Sequence, residues 1–253
     1  MTQVPVEKET DKIKKQIMLK EGINQPLGRL IILTAGLILF LCLLPSYLRN
    51  YFWHGLLAHR VLAGMLLGLC LTAISLVWSA GQRLDASLFL LFNLRGTRPT
   101  WLDSMMSGFT QLGSGFGAFS IAILILVFGP RLLLYQFLLG SISLWLMVEL
   151  MKFLIHRARP YIRLTQTRIV GLQMNGQSFP SGHTSQVFFT ATLFAQTFQS
   201  NVWIVIGLYS TAVLVGLTRM YVGAHYPRDV LAGAIMGSVW GLLGTMINPF
   251  VFK

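Results

Sequence analysis

Charge is scarce in these 253 residues: Asp, Glu, Lys and Arg make up 11% of the chain, against roughly 25% in an ordinary soluble domain. Acids are scarcer still, eight Asp and Glu against 20 Lys and Arg. So thin a polar complement excludes a water-soluble globule with a charged shell. The 54% share of hydrophobic residues makes a polytopic membrane protein the expected class. Cysteine is nearly absent. Cys42 and Cys70 each sit inside an apolar run and read as small buried hydrophobes, which excludes a disulfide framework. No Cys/His ligand spacing and no acidic cluster is present, so neither a metal site nor any other cofactor is expected. Nor is a secretory leader apparent: the first apolar run starts near residue 30, behind a polar tail, and is too long for an h-region.

The net charge of +12 has a definite place. The tail to residue 21 is almost balanced, whereas beyond it 15 basic residues face four acids: Asp85, Asp103, Glu149 and Asp229. The basic residues flank apolar spans instead of covering a soluble face. Nucleic acid is therefore a poor fit, and anionic lipid or phosphate a better one.

Stretches without charge mark the candidate spans, since about 20 apolar residues cross a bilayer. They are 30–48, 61–82, 104–130, 132–151, two within 169–218 with Asn201 near their turn, and 230–252. Residues 84–97 are shorter, flanked by charge, and suit a helix lying at the interface. The expected fold is all-α, a polytopic membrane helical bundle. Residues 1–28 form a polar tail and 29–253 a single transmembrane domain, with its motifs within 152–229. Gly233, Gly237 and Gly241, spaced by four, predict close helix contact, as do Gly113, Gly115 and Gly117.

Three polar groups interrupt the apolar body. In KFLIHRARP, Lys152 and Arg159 are two helical turns apart on one predicted face, with Pro160 ending the helix. Two such cations could grip a dianion, or simply snorkel to the interface. FPSGHTSQ opens a helix near Ser181 and so exposes unpaired N–H groups and a positive dipole end. This makes an anion site that Gly182 lets a ligand approach closely. Plain capping explains the serine but leaves His183 without a purpose. In TRMYVGAHYPRD, His225 stands in a short loop and Asp229 in the next helix's first turn, where a carboxylate could fix the imidazole tautomer. The alternative is a dipole role for Asp229 and a surface role for His225. Glu149, three residues before Lys152, is placed to neutralise that lysine.

Taken together, Lys-x6-Arg-Pro, Pro-Ser-Gly-His and Arg-x5-His-x3-Asp resemble the type 2 phosphatidic acid phosphatase (PAP2) superfamily. That family includes membrane lipid phosphatases, among them bacterial phosphatidylglycerophosphatases and undecaprenyl-diphosphatases, and soluble vanadium haloperoxidases. LDASLFLLFN and LGSGFG look like its usual lead-in. The third motif commonly begins Ser-Arg and here reads Thr218-Arg219, which keeps the hydroxyl. The resemblance implies a six-span core, to which 30–48 would be an N-terminal addition. It also implies roles: His225 as nucleophile, Asp229 as its orienting group and His183 as general acid and base. Lys152, Arg159, Arg219, Ser181 and the Gly182 N–H would form a metal-free phosphate cradle.

A site at a span end suits a lipid-borne phosphate such as phosphatidic acid, phosphatidylglycerophosphate or a polyprenyl diphosphate, with the bilayer as the other partner. No oligomeric state is indicated. Seven spans would put tail and motifs on one side with 16 of the 20 Lys and Arg, a cytoplasmic pattern. The family resemblance instead implies an outward-facing site in the cell membrane. Two other functions fit parts of the pattern: a lipid phosphotransferase on the same scaffold, and an anionic-lipid transporter or flippase, which would not need the histidine pair.

Overall fold

A computed structural model describes residues 59–76, 78–93, 98–198 and 201–246, with three single positions (35, 39 and 46) ahead of them. The expected tail, the 30–48 span and Cys42 therefore lie outside the described residues. Every regular element among those described is helical: α1 (Arg60–Ser75), α2 (Ser79–Asn93), α3 (Thr100–Thr110), a 3-10 turn (Gln111–Gly113), α4 (Gly115–Phe128), α5 (Arg131–Ile155), the short α6 (Pro160–Arg163), α7 (Gly182–Thr197), α8 (Val202–Tyr221) and α9 (Pro227–Met246). The runs Arg131–Arg163 and Val202–Tyr221 are long and apolar enough to cross a membrane, and the bent pairs α1/α2 and α3/α4 each pass the same test when joined.

Two expected boundaries move, for local reasons. The 61–82 span ends at Ser75, and α2 leaves at 97° to α1. The terminal carbonyls of α1 are taken by side chains: Ser75 O accepts from Arg228 Nη1 and Leu76 O from Gln82 Nε2, which satisfies a helix end that would otherwise continue. The 104–130 span bends by 59° at the 3-10 turn. There Gly113 lies so close to His183 that a Cβ would stand 2.5 Å from its backbone oxygen. Ser114 then caps α4 by accepting from the Gly117 N–H at 3.2 Å.

The centre of the bundle is α7. Its Phe189 and Leu193 are fully buried among Leu133, Phe137 and Leu144 of α5 and Met236 of α9. On the opposite side, Gly233, Gly237 and Gly241 of α9 run along the α7 backbone. A Cβ at Gly233 would stand 2.6 Å from Ser181 O, and one at Gly237 would collide with Ser185 O. Outward faces are apolar: Phe128 is 83% and Trp203 74% exposed. In water such surface would drive aggregation, whereas a bilayer accepts it and leaves close packing of small residues to hold the helices together.

Candidate active site

The α5 helix stops at Ile155, four residues before Arg159. His156 adopts a left-handed conformation (φ 52°) as its C-terminal cap, donating its N–H to Lys152 O. Lys152 and Arg159 thus do not share a helix face as the spacing predicts. The chain turns inward because Arg157 is drawn into the protein. Its Nη1 donates to Asp229 Oδ1 at 2.5 Å, while Nη2 bonds Asp85 and, at 2.9 Å, Gln82. Its guanidinium lies 4.2 Å from the centre of the Tyr226 ring. Arg228 completes the cluster, its backbone N–H and Nε each donating to Asp85 at 3.0 Å.

His225 is set by the turn between α8 and α9. The N–H groups of Ala224 and His225 donate to Arg219 O. Gly223 makes the turn possible: its φ of +87° is left-handed, and a Cβ there would stand 2.5 Å from Arg168 O. His225 Nδ1 lies 2.7 Å from Ser178 O and 3.7 Å from Asp229 Oδ2. A carbonyl can only accept, so Nδ1 carries the proton and Nε2 holds the free lone pair. Asp229 Oδ2 instead accepts the Tyr226 N–H at 2.9 Å. The carboxylate stands behind the ring and orders the turn that carries it. Burial first, then Arg159 and Arg219, push the His225 imidazole well below its ordinary range, so it is neutral.

Lys152, Arg159, Gly182, His183 and His225 line one cavity of about 370 Å³ between α4, α5 and α7. Lys152 Nζ is paired with Glu149 at 2.7 Å, as their spacing predicts. Arg159 is buried and donates to the carbonyls of Asn175, Gly176 and Ala224, with Nη1 3.4 Å from His225 Nε2. Arg219 lines an adjoining cavity of about 330 Å³ that also reaches His183. Its Nη1 donates to Thr110 Oγ1 at 2.6 Å, while Nε and Nη2 are buried without an acceptor among the described residues. Buried unpaired donors are costly, and they mark a place built for an anion.

Ser181 and Asp229 stand behind these cavities, both fully buried. The Ser181 hydroxyl lies 2.9 Å from Thr184 Oγ1 and 3.5 Å from the Thr184 N–H, and its own N–H donates to Asp229 O at 3.0 Å. Its observed contacts are those of a cap that locks the start of α7 to α9. The first-turn N–H groups of Gly182 and His183 have no intrahelical partner by helix geometry. Among the described residues, no three His, Cys, Asp or Glu side chains are grouped to share a metal ion.

Sequence reasoning missed Arg157, Ser178 and Asn93. Asn93 is fully buried at the end of α2. It accepts from Arg168 N and donates to Arg168 O and Tyr221 O, pinning α2 to the loop and to α8. A signal existed for Arg157. An acid beside an apolar segment needs a cation, and the sequence neighbour Arg83 is not the one that pairs with Asp85 in the fold; Arg157 and Arg228 are.

A buried neutral imidazole faces guanidinium and ammonium groups at the ends of helices whose outward sides are apolar. Residues 131–252 match the model of the PAP2 superfamily. Among curated proteins, the chain is 27% identical to the undecaprenyl-diphosphatase of Sulfolobus acidocaldarius over 65% of this chain and 78% of that one. It is 38% identical to the lipid A 1-phosphatase of Rhizobium etli over 40% of this chain, spanning 44% of that protein's length. The transmembrane PAP2-type phosphatidylglycerolphosphate phosphatase of Bacillus subtilis shares its fold. That match has a TM-score of 0.65 at 23% identity, and covers 76% of this chain and 98% of that structure.

Proposed function

We propose that this protein removes a phosphoryl group from a phosphomonoester or diphosphate on a membrane lipid, through a phosphohistidine and without a metal ion. One observation carries the proposal: the lone pair of His225 Nε2 opens onto a cavity that also holds Lys152, Arg159 and His183. In the first step that lone pair attacks phosphorus as the bond to the lipid oxygen breaks, and protonated His183 gives its proton to the leaving oxygen. In the second, His183 takes a proton from water, whose oxygen attacks phosphorus. Inorganic phosphate departs and neutral His225 returns. Lys152, Arg159, Arg219 and the free N–H groups opening α7 stabilise the charge that gathers on the phosphoryl oxygens.

The bundle then crosses the membrane six times, through α1, α4, α5, α7, α8 and α9. The segments α2 and α3 lie along the surface. The site faces outward. Cations on its side are poor reporters of orientation, because Lys152, Arg157, Arg168 and Arg228 are each tied to one of the four acids beyond the tail.

The test is phosphate release from a panel of phosphatidic acid, phosphatidylglycerophosphate and undecaprenyl diphosphate in EDTA. Wild type should turn over at least one of them with no acceptor but water, and His225→Ala should lose about 10⁴-fold or more. Full activity in that variant, or an absolute need for added metal, overturns the mechanism.

A further inference from the structure

The cavity that holds Lys152 and His183 continues toward the middle of the bilayer, past Val148 to Ser141 on α5 and Gln186 on α7. Gln186 Nε2 donates to Ser141 Oγ at 2.9 Å, and both side chains are partly open to the cavity. Several other polar side chains of these helices bond backbone carbonyls. Gln136 donates to Gly244 O, and the hydroxyls of Ser143 and Thr190 return to carbonyls of their own helices. The Ser141 hydroxyl returns to none, and the second N–H of Gln186 has no acceptor among the described residues. Two donor hydrogens are therefore left without an acceptor at the apolar end of the cavity, beside Leu144, Trp145 and Val148, where water is a poor alternative partner.

Position says what they would meet. Gln186 lies four residues below Gly182 on α7, about 6 Å along the axis from the amides that face the phosphate. In a glycerolipid phosphate, that depth is occupied by the acyl-ester carbonyls. In a polyprenyl chain the segment beyond its phosphates is hydrocarbon and offers no acceptor.

We infer that Gln186 and Ser141 form a subsite for an ester carbonyl next to the phosphate, which makes these two residues specificity determinants for diacylglycerol phosphates. This inference rests on the proposed lipid phosphatase activity and adds the class of lipid it prefers.

The experiment compares dioleoyl phosphatidic acid with its dioleyl ether analogue, which lacks only the two carbonyls, in mixed micelles of fixed detergent composition. Wild type should show kcat/KM about fivefold to tenfold higher on the ester, the worth of one hydrogen bond. Gln186→Leu should fall to the ether value on both lipids, so that the ratio collapses to about one, and Ser141→Ala should narrow it. A purely structural role for the α5–α7 hydrogen bond would lower both lipids equally and keep the ratio. Equal wild-type rates on ester and ether, or a ratio that survives in Gln186→Leu, overturn the subsite alone. Release from neither lipid by wild type sinks it together with glycerolipid phosphatase activity. If the leucine variant does not fold, the wild-type ratio and the alanine variant still decide.

Discussion

Behind the His225 ring, Asp229 is held by Arg157 and the Tyr226 N–H, and Arg157 in turn by Asp85 and Gln82. In front of it, Arg219 keeps Nε and Nη2 without acceptors, and α7 presents its first amides to a cavity. Behind the ring the cations are balanced by Asp85 and Asp229, although Arg157 Nε and Arg228 Nη2 also lack acceptors, whereas Arg219 has no acid paired with it among the described residues. The ion pairs fix where the imidazole stands, and under the proposed function the unpaired Arg219 would attract a phosphate. Substitutions behind the ring should therefore report mainly as stability, and those in front mainly as rate.

The largest separation should come from Arg157→Met. It strands the buried Asp229 carboxylate and leaves Asp85 with Arg228 alone, and unfolding in detergent should show a loss of about 3–5 kcal/mol. A variant that melts like wild type would show the rear network to be dispensable. Arg219→Lys should do the reverse. It gives up the fork of the guanidinium, so kcat/KM should fall about 10²-fold. The melting temperature should stay within about 2 °C, because few native hydrogen bonds are lost. Ser181→Ala gives the smallest effect and sharpens the boundary between the halves. As a cap it should cost about 1 kcal/mol of stability and leave kcat/KM within about tenfold. A loss of activity near that of Arg219→Lys would move Ser181 to the front half.

Much of the front half was legible in the sequence because its residues sit at helix ends, where apolar runs stop abruptly. His183 opens α7, and Lys152 lies in the last turn of α5. The rear half was less legible. Asp85 and Arg157 are 72 residues apart, and nothing local marks Arg157 as different from other cations at a membrane surface. Its neighbour His156 takes the left-handed cap that ends α5 early, so the helical spacing of Lys152 and Arg159 misled even though both reach one cavity. Bends in the apolar runs hid for a similar reason. What stops α1 is Arg228, contributed from the far end of the chain, and what bends α3 from α4 is the approach of α7 at Gly113. The scarcity of acids was the strongest unused clue: all four in the body of the protein are ion-paired in the fold.

The bond from the Ser181 N–H to Asp229 O joins the start of the helix bearing His183 to the start of the helix that follows His225, and the glycines of α9 continue that seam along the α7 backbone. The proposed reacting groups are thereby mounted on a single rigid block, while the wall offered to the hydrophobic part of a substrate is made by α4, α5 and the cavity-facing side chain of Gln186. Anyone wishing to retarget such an enzyme should rewrite that wall and leave the block untouched.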